Sequence, residues 1–207
     1  MSSLQAAADY IARTDPVLSP VVVSSGLPEL VAHTNYYQEL VESIIGQQLS
    51  VKAARTIRTR FVNLFDQFPS PEQILTRDSE ELRSAGLSRP KVSYIQDLAK
   101  HVIDGTLRLD QLDALSNDEI VTTLTAVKGI GEWTVHMFLM FCMGRLDILP
   151  IGDLGIRSGV QKLYQLDHLP IPAEVTDIAL KNNWHPYESV ASWYIWKALD
   201  NKPAILE

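Results

Sequence analysis

Two segments of this chain hold residues whose types and spacing suit chemistry. The first is Leu149-Pro150-Ile151-Gly152-Asp153-Leu154-Gly155-Ile156, in which Asp153 lies between two glycines and just ahead of the helical spacing Ile156, Val160, Leu163. A carboxylate so placed can stabilise positive charge that develops on a substrate, and can orient or deprotonate a water. Standing alone, an aspartate there is more simply a helix N-cap. The second segment is Leu124-Thr125-Ala126-Val127-Lys128-Gly129-Ile130-Gly131-Glu132-Trp133-Thr134. A helix ends near Val127, a Gly-Ile-Gly turn follows, and another apolar helix begins near Thr134. Two glycines one residue apart let the backbone approach another chain with no Cβ in the way. Their amides, with the positive end of the following helix, suit a phosphate oxygen. Alone, this too reads as a tight turn between packed helices.

The elements around these segments are helices with short connections. Ser70-Pro71-Glu72-Gln73 and Ser116-Asn117-Asp118-Glu119 both have capping-box spacing, and the second leads into Ile120, Val121 and Leu124 at helical intervals. Pro90 opens a helix with Val92, Ile95, Leu98, Ala99 and Val102 on one face, and Gly105 stops it. Tyr36 to about Gln47, Val51 to about Phe65, and Pro186 to about Leu199 are helical in pattern. Val21-Val22-Val23 is a short β-branched cluster, and no alternating run or Asn-Gly hairpin accompanies it. The expected fold is all-α, with roughly nine or ten helices.

Composition narrows the function classes. With 207 residues, 46% of them hydrophobic and 21% charged, the chain can bury a sizeable core. Its single cysteine, Cys142, excludes an internal disulfide, a cysteine-rich zinc site and a four-cysteine iron–sulfur cluster, and suits a reducing intracellular compartment. The five histidines form no H-x-x-x-H cluster, so a catalytic metal is not expected. The apolar run Val135 to Met143 is too short to span a bilayer, and Met1 to Ala12 does not read as a secretory signal. The net charge of −7 runs against generic nucleic-acid binding. The acid is local, however, and Lys52, Arg55, Arg58 and Arg60 form a stretch without any.

Taken together, the helix, Lys128-Gly129-Ile130-Gly131, the second helix and then Asp153 about twenty residues on resemble the helix-hairpin-helix DNA glycosylase superfamily. Within it, Ile44 to Ala54, Trp133 and Tyr187 resemble the 3-methyladenine DNA glycosylase II, or alkylpurine, branch. The Gly86-Leu87-Ser88-Arg89-Pro90-Lys91 turn looks familiar for that branch as well. The resemblance covers about Tyr36 to Trp196. It implies the compact form without an N-terminal β domain. Lobe A, at about 36–150, would carry the hairpin; a discontinuous lobe B, at about 1–35 plus 151–207, would complete a DNA cleft holding Asp153.

The resemblance also implies roles. Asp153 would be the catalytic carboxylate, stabilising the oxocarbenium-like state formed as an N-glycosidic bond breaks. No second carboxylate is paired with it, which suits an alkylated, already cationic purine that departs without protonation. The base would be flipped from duplex DNA into a pocket with Trp133, Tyr187 and Met137. Tyr187 replaces a tryptophan, and Met137 a tyrosine, of a bacterial relative. Trp133 stands where strand-cutting branches have a Schiff-base lysine, so the enzyme would be monofunctional. The loop Gln47, Gln48, Leu49, Ser50 would wedge into the duplex through Gln48 or Ser50, while Gln47 reads the opposite strand.

Phosphate contacts would fall to Lys128, Gly129, Gly131, Lys52, Arg55 and Arg157. A structural Na+ or K+ would rest on the carbonyls of Thr125, Val127 and Gly129. No catalytic cofactor and no iron–sulfur cluster is expected. The protein would be an intracellular monomer, in the cytoplasm and nucleoid or in the nucleus, with no membrane partner. Two other readings stay open: a non-catalytic helix-hairpin-helix DNA-binding module, and a helical protein–protein adaptor using Trp193, Tyr194 and Trp196.

Overall fold

A computed structural model describes residues 3–28, 30 and 32–199. Among them the chain is helical, with no strand. In order run α1 (Ser3–Thr14), α2 (Ser19–Ser25), α3 (Tyr36–Gly46), α4 (Val51–Val62), α5 (Pro71–Thr76), α6 (Ser79–Ser84), α7 (Arg89–Ile103), a 3-10 turn (Leu109–Ala114), α8 (Asn117–Thr125), α9 (Glu132–Met137), α10 (Leu154–Leu163), α11 (Pro172–Lys181) and α12 (Glu188–Ala198). A π-helical turn, Phe138–Cys142, continues α9 directly. The count exceeds the nine or ten expected because α2, α5, α6 and α9 are only six or seven residues long. Elements that short leave little periodicity to read. No described helix is long and apolar enough to cross a membrane.

The chain forms two compact units. One is His33–Phe138; the other joins the described residues up to Ala32 with 139–199.

In the His33–Phe138 unit, local chemistry fixes the helix ends. Ser70 Oγ accepts from Gln73 N–H while Gln73 Oε1 accepts from Ser70 N–H, closing the capping box, and Ser116 and Glu119 do the same. Ser88 caps α7, which therefore begins at Arg89 rather than Pro90. α7 packs against α3, α5 and α6, and α8 against α9. Val92, Ile95, Leu98 and Ala99 point from α7 into the core beside Leu40, Ile44 and Ile45 of α3. Burying each large aliphatic side chain stabilises the fold by about 1.5–3 kcal/mol.

The other unit is organised by α12, whose residues Ser189 to Trp196 are all buried. A helix apolar on every side belongs inside, and here α1, α2 and α10 pack against it. α10 approaches closely at Gly159, where a Cβ would lie 2.3 Å from Ile195 Cγ2. Trp193, Tyr194 and Trp196 are thus spent on this core, which removes the surface that an adaptor reading needs.

The N-terminal stretch, which shows no motif in sequence, is fixed by Asp15. This fully buried carboxylate accepts from Val17 N–H (2.8 Å), Leu18 N–H (3.0 Å), Trp184 Nε1–H (2.7 Å) and the Tyr164 hydroxyl. Four donors offset the cost of burying its charge.

Candidate functional site

Asp153 stands at the start of α10. The chain turns tightly into it, with Asp153 N–H donating to Pro150 O (2.9 Å). Its Oδ1 accepts from Ile156 N–H at 2.7 Å, so the capping role is real. A second donor reaches the same oxygen: Trp196 Nε1–H, at 2.9 Å. One carboxylate oxygen is therefore held from two directions, by its own helix and by the core of α12. Gly155 makes room for this, since a Cβ there would stand 3.0 Å from both Asp153 Oδ1 and Trp196 Nε1. The Trp196 indole is 3% exposed and packs against Phe141, with ring centroids 6.1 Å apart. Leu154, the next residue, is 63% exposed, so Asp153 marks the edge between core and surface.

In the sequence Trp196 figures only as one of three aromatics on a helix, and not as a partner of Asp153. Its signal was there: Gly155 and Gly159 are four apart on α10, and such a strip of small residues calls for bulky side chains across from it. Two other candidates lie in this unit. Half-buried Tyr187 meets Tyr10 edge-on at 5.2 Å, while Tyr10 OH donates to His185 O. Arg157 spends its Nε–H on Pro170 O (2.7 Å), so part of that guanidinium is committed inside the unit.

The hairpin belongs to the His33–Phe138 unit. α8 ends at Thr125, Ile130 N–H closes the turn on Val127 O (3.2 Å), and α9 begins at Glu132. Gly129 has φ +79, in the left-handed region that favours glycine. A Cβ there would also lie 2.1 Å from the Tyr94 ring, so this position is glycine for two reasons. Gly131 differs, because its φ is −95 and a Cβ would meet nothing within 4 Å. The N–H groups of Lys128 and Ile130 are used internally, by Asp97 Oδ2 (2.9 Å) and Val127 O. Those of the exposed Gly129 and Gly131 meet no acceptor among the described residues. Alternate amides of the turn are thus left without an internal acceptor among the described residues, an arrangement that suits an anion's oxygens.

Asp97 also pairs with Lys128 Nζ (3.4 Å). Burial pushes the Asp97 carboxyl upward, but the Lys128 backbone and side-chain donors and its charge outweigh that and hold it below the ordinary carboxylate range. Trp133 is 46% exposed near the start of α9, and Met137, one turn on, is buried.

The loop between α3 and α4 comes against the hairpin: Gln47 Nε2–H donates to Gly129 O at 2.8 Å. Exposed Gln48 has φ +59, half-buried Leu49 follows, and exposed Ser50 caps α4 by accepting from Ala53 N–H. Gln48 is thus carried outward on a left-handed turn, whereas Ser50 is committed to its helix. Lys52 and Arg55 are exposed one turn apart on α4, while Arg58 pairs with Glu42 at 2.7 Å.

Val127 O and Gly129 O each accept one hydrogen bond. A carbonyl has two lone pairs, so each of these two oxygens keeps one further acceptor position. No group of three or more His, Cys, Asp or Glu among the described residues is arranged to hold a metal.

Residues 41–186 match the family described as HhH-GPD superfamily base excision DNA repair protein. The chain belongs to that superfamily. Across 204 residues it is 32% identical to the putative DNA-3-methyladenine glycosylase YfjP of Bacillus subtilis, covering 95% of this chain and 70% of that one. It is 38% identical over 166 residues to DNA-3-methyladenine glycosylase 1 of Schizosaccharomyces pombe, covering 78% and 71%. The fold matches that of the S. pombe 3-methyladenine DNA glycosylase Mag1 in complex with abasic DNA, with TM-score 0.81, 32% identity, and 97% and 99% of the two chains covered. The hairpin and the Asp153 loop both lie within the matched span.

Proposed function

We propose that this protein is a monofunctional DNA glycosylase that hydrolyses the N-glycosidic bond of alkylated purines, of the 3-methyladenine and 7-methylguanine type, in base excision repair. The observation that carries the proposal is the fixed carboxylate: Asp153 Oδ1 held by Ile156 N–H and Trp196 Nε1–H. A carboxylate that must face a reacting carbon needs an orientation it does not have to find during the reaction. Relatives named as DNA-3-methyladenine glycosylases support the same substrate class.

In the proposed reaction the damaged nucleotide leaves the duplex stack. The C1′–N bond breaks and its electron pair goes to the cationic purine, which departs neutral. Positive charge grows on the deoxyribose, and the Asp153 carboxylate stabilises it. Water then adds to C1′ and gives its proton to Asp153. A leaving base that already carries the positive charge needs no second acid.

The hairpin grips the DNA backbone through Gly129 and Gly131 N–H, with Lys128, Lys52, Arg55 and Arg157 adding charge. Na+ or K+ held on the Thr125, Val127 and Gly129 carbonyls would add a positive charge beside that phosphate. Exposed Trp133, with Met137 one helical turn on, offers the extruded base the π-face that a cationic purine favours. Gln47 reads the opposite strand. With tryptophan at position 133 no lysine is available there for a Schiff base, so the strand stays intact after base loss. The enzyme acts as a monomer on double-stranded DNA, in the nucleoid or nucleus.

The test is chromatography of bases released from methylated duplex DNA, with strand integrity followed before and after alkali. Release of methylpurines, with breaks only after alkali, is expected. DNA binding with no base released would overturn the proposal in favour of a binding module.

A further inference from the structure

The last carbonyls of any helix lack intrahelical partners. At the end of α3 they are met by a side chain from another helix: Lys91 Nζ, in the first turn of α7, donates to Ile45 O (2.7 Å) and Gln47 O (2.6 Å). An ammonium is favoured at a helix C-terminus, where backbone carbonyls concentrate negative potential. Lys91 is half-buried there, and burial holds its ammonium below the ordinary lysine range.

Gln47 is thereby held at both ends, its main chain by Lys91 and its side-chain amide on Gly129 O (2.8 Å). Further along α7, Tyr94 fills the space a Gly129 Cβ would need, and Asp97 takes Lys128 N–H. Lys91, Tyr94 and Asp97 are three residues apart and share one helix face. That single face of α7 holds two loops far apart in sequence, the α3–α4 loop and the hairpin.

We infer that Lys91 is a positioning residue for base extrusion: it fixes the α3–α4 loop in register with the hairpin, so that Gln48 is presented to the duplex from a rigid base. The inference deepens the proposed function and rests on it. Opening a base pair requires something stiff to take the vacated place, and a loop free to recoil does not hold it open. Gln48 sits in a left-handed turn that a non-glycine residue keeps only when its surroundings over-determine it. The two hydrogen bonds from Lys91 end on the residues just before that turn. The hairpin holds the DNA backbone; the clamp would make Gln48 move with that hold and not independently of it.

The experiment compares wild type, Lys91→Met and Lys91→Arg on two duplexes, one with the methylated purine paired and one with the same purine opposite a missing base. Only the first demands that a pair be broken. Lys91→Met is expected to slow release from the paired lesion by about tenfold to a hundredfold, as for a misplaced group remote from the chemistry, and from the unpaired one by no more than about twofold. Lys91→Arg, which can still donate to both carbonyls, should recover most of the loss. Equal slowing on both duplexes, or none on either, would overturn the inference.

Hydrogen exchange of the DNA-free protein judges the clamp apart from activity. Lys91→Met should speed exchange at residues 47–51 and leave the core of α7 protected; unchanged exchange at 47–51 overturns the clamp. If the wild type releases base from neither duplex, the glycosylase reading has failed and exchange alone decides on Lys91.

Discussion

Trp196 Nε1–H donates to Asp153 Oδ1 at 2.9 Å, joining the buried face of α12 to the first residue before α10. The bond makes the orientation of a surface-edge carboxylate depend on the packing of a core helix. Replacing Trp196 with phenylalanine removes the donor and keeps most of the ring. The rate of base release in a single turnover should fall about tenfold, which is about 1.4 kcal/mol of barrier. Binding to intact DNA should stay near the wild-type value. Gly155→Ala should act in the same direction by crowding the bond from the side, where a Cβ has contacts at 3.0 Å.

The two hairpin glycines should separate fold from binding. Gly129→Ala places a Cβ 2.1 Å from the Tyr94 ring at φ +79, so it should cost about 2–4 kcal/mol in denaturant unfolding. Gly131→Ala meets nothing within 4 Å and has an ordinary φ, and stability should stay within about 0.5 kcal/mol. Its DNA affinity should nonetheless fall roughly tenfold, because the methyl stands where a phosphate must approach. Unchanged affinity for Gly131→Ala would remove the hairpin from the interface.

Trp133 is 46% exposed in the first turn of α9, so little of the fold's stability rests on its burial. Trp133→Ala should change unfolding free energy by no more than about 1 kcal/mol. Release of methylated purines should drop by at least about tenfold, on the scale of stacking one base against an aromatic side chain. A variant as active as the wild type would exclude Trp133 from base recognition.

Asp97 gives a pH signature. Its folded carboxyl lies below the ordinary 3.8, so the unfolded chain takes up the proton first as pH falls. The stability it contributes is fully present above that ordinary value and is lost as pH drops through the lower folded one. At pH 7, Asp97→Asn should cost about 1–3 kcal/mol in denaturant unfolding. The gap between variant and wild type should close as the pH falls below about 4. A gap that stays constant down to the acid limb would mean that the carboxylate charge contributes nothing to holding Lys128.

How much of this was legible follows from the range of each interaction. The capping boxes at Ser70 and Ser116 and the start of α10 at Asp153 are decided within three or four residues, and each stands where the sequence placed it. α1 and α2 went unread because the residue tying them down is Asp15, whose partners Tyr164 and Trp184 lie about 150 and 170 residues away. Trp196 was read only as one of three aromatics on a helix; its bond to Asp153 spans 43 positions. Lys91 was read only as part of a turn, since the α3 carbonyls that it meets belong to another helix. Short-range chemistry announces itself in a sequence. Contacts between helices leave only glycine spacings such as Gly155 and Gly159.

The central claim is that Asp153 acts on the glycosidic bond and does more than cap α10. Asparagine at this position keeps an oxygen that can accept from Ile156 N–H while removing the negative charge, so Asp153→Asn separates the two roles. The measurement is single-turnover release of methylated purine from duplex DNA by wild type and Asp153→Asn, with DNA affinity and unfolding midpoint recorded for both. Release slowed by roughly a hundredfold to ten-thousandfold, with affinity and midpoint little changed, is the predicted result. Release by Asp153→Asn at the wild-type rate would contradict the account.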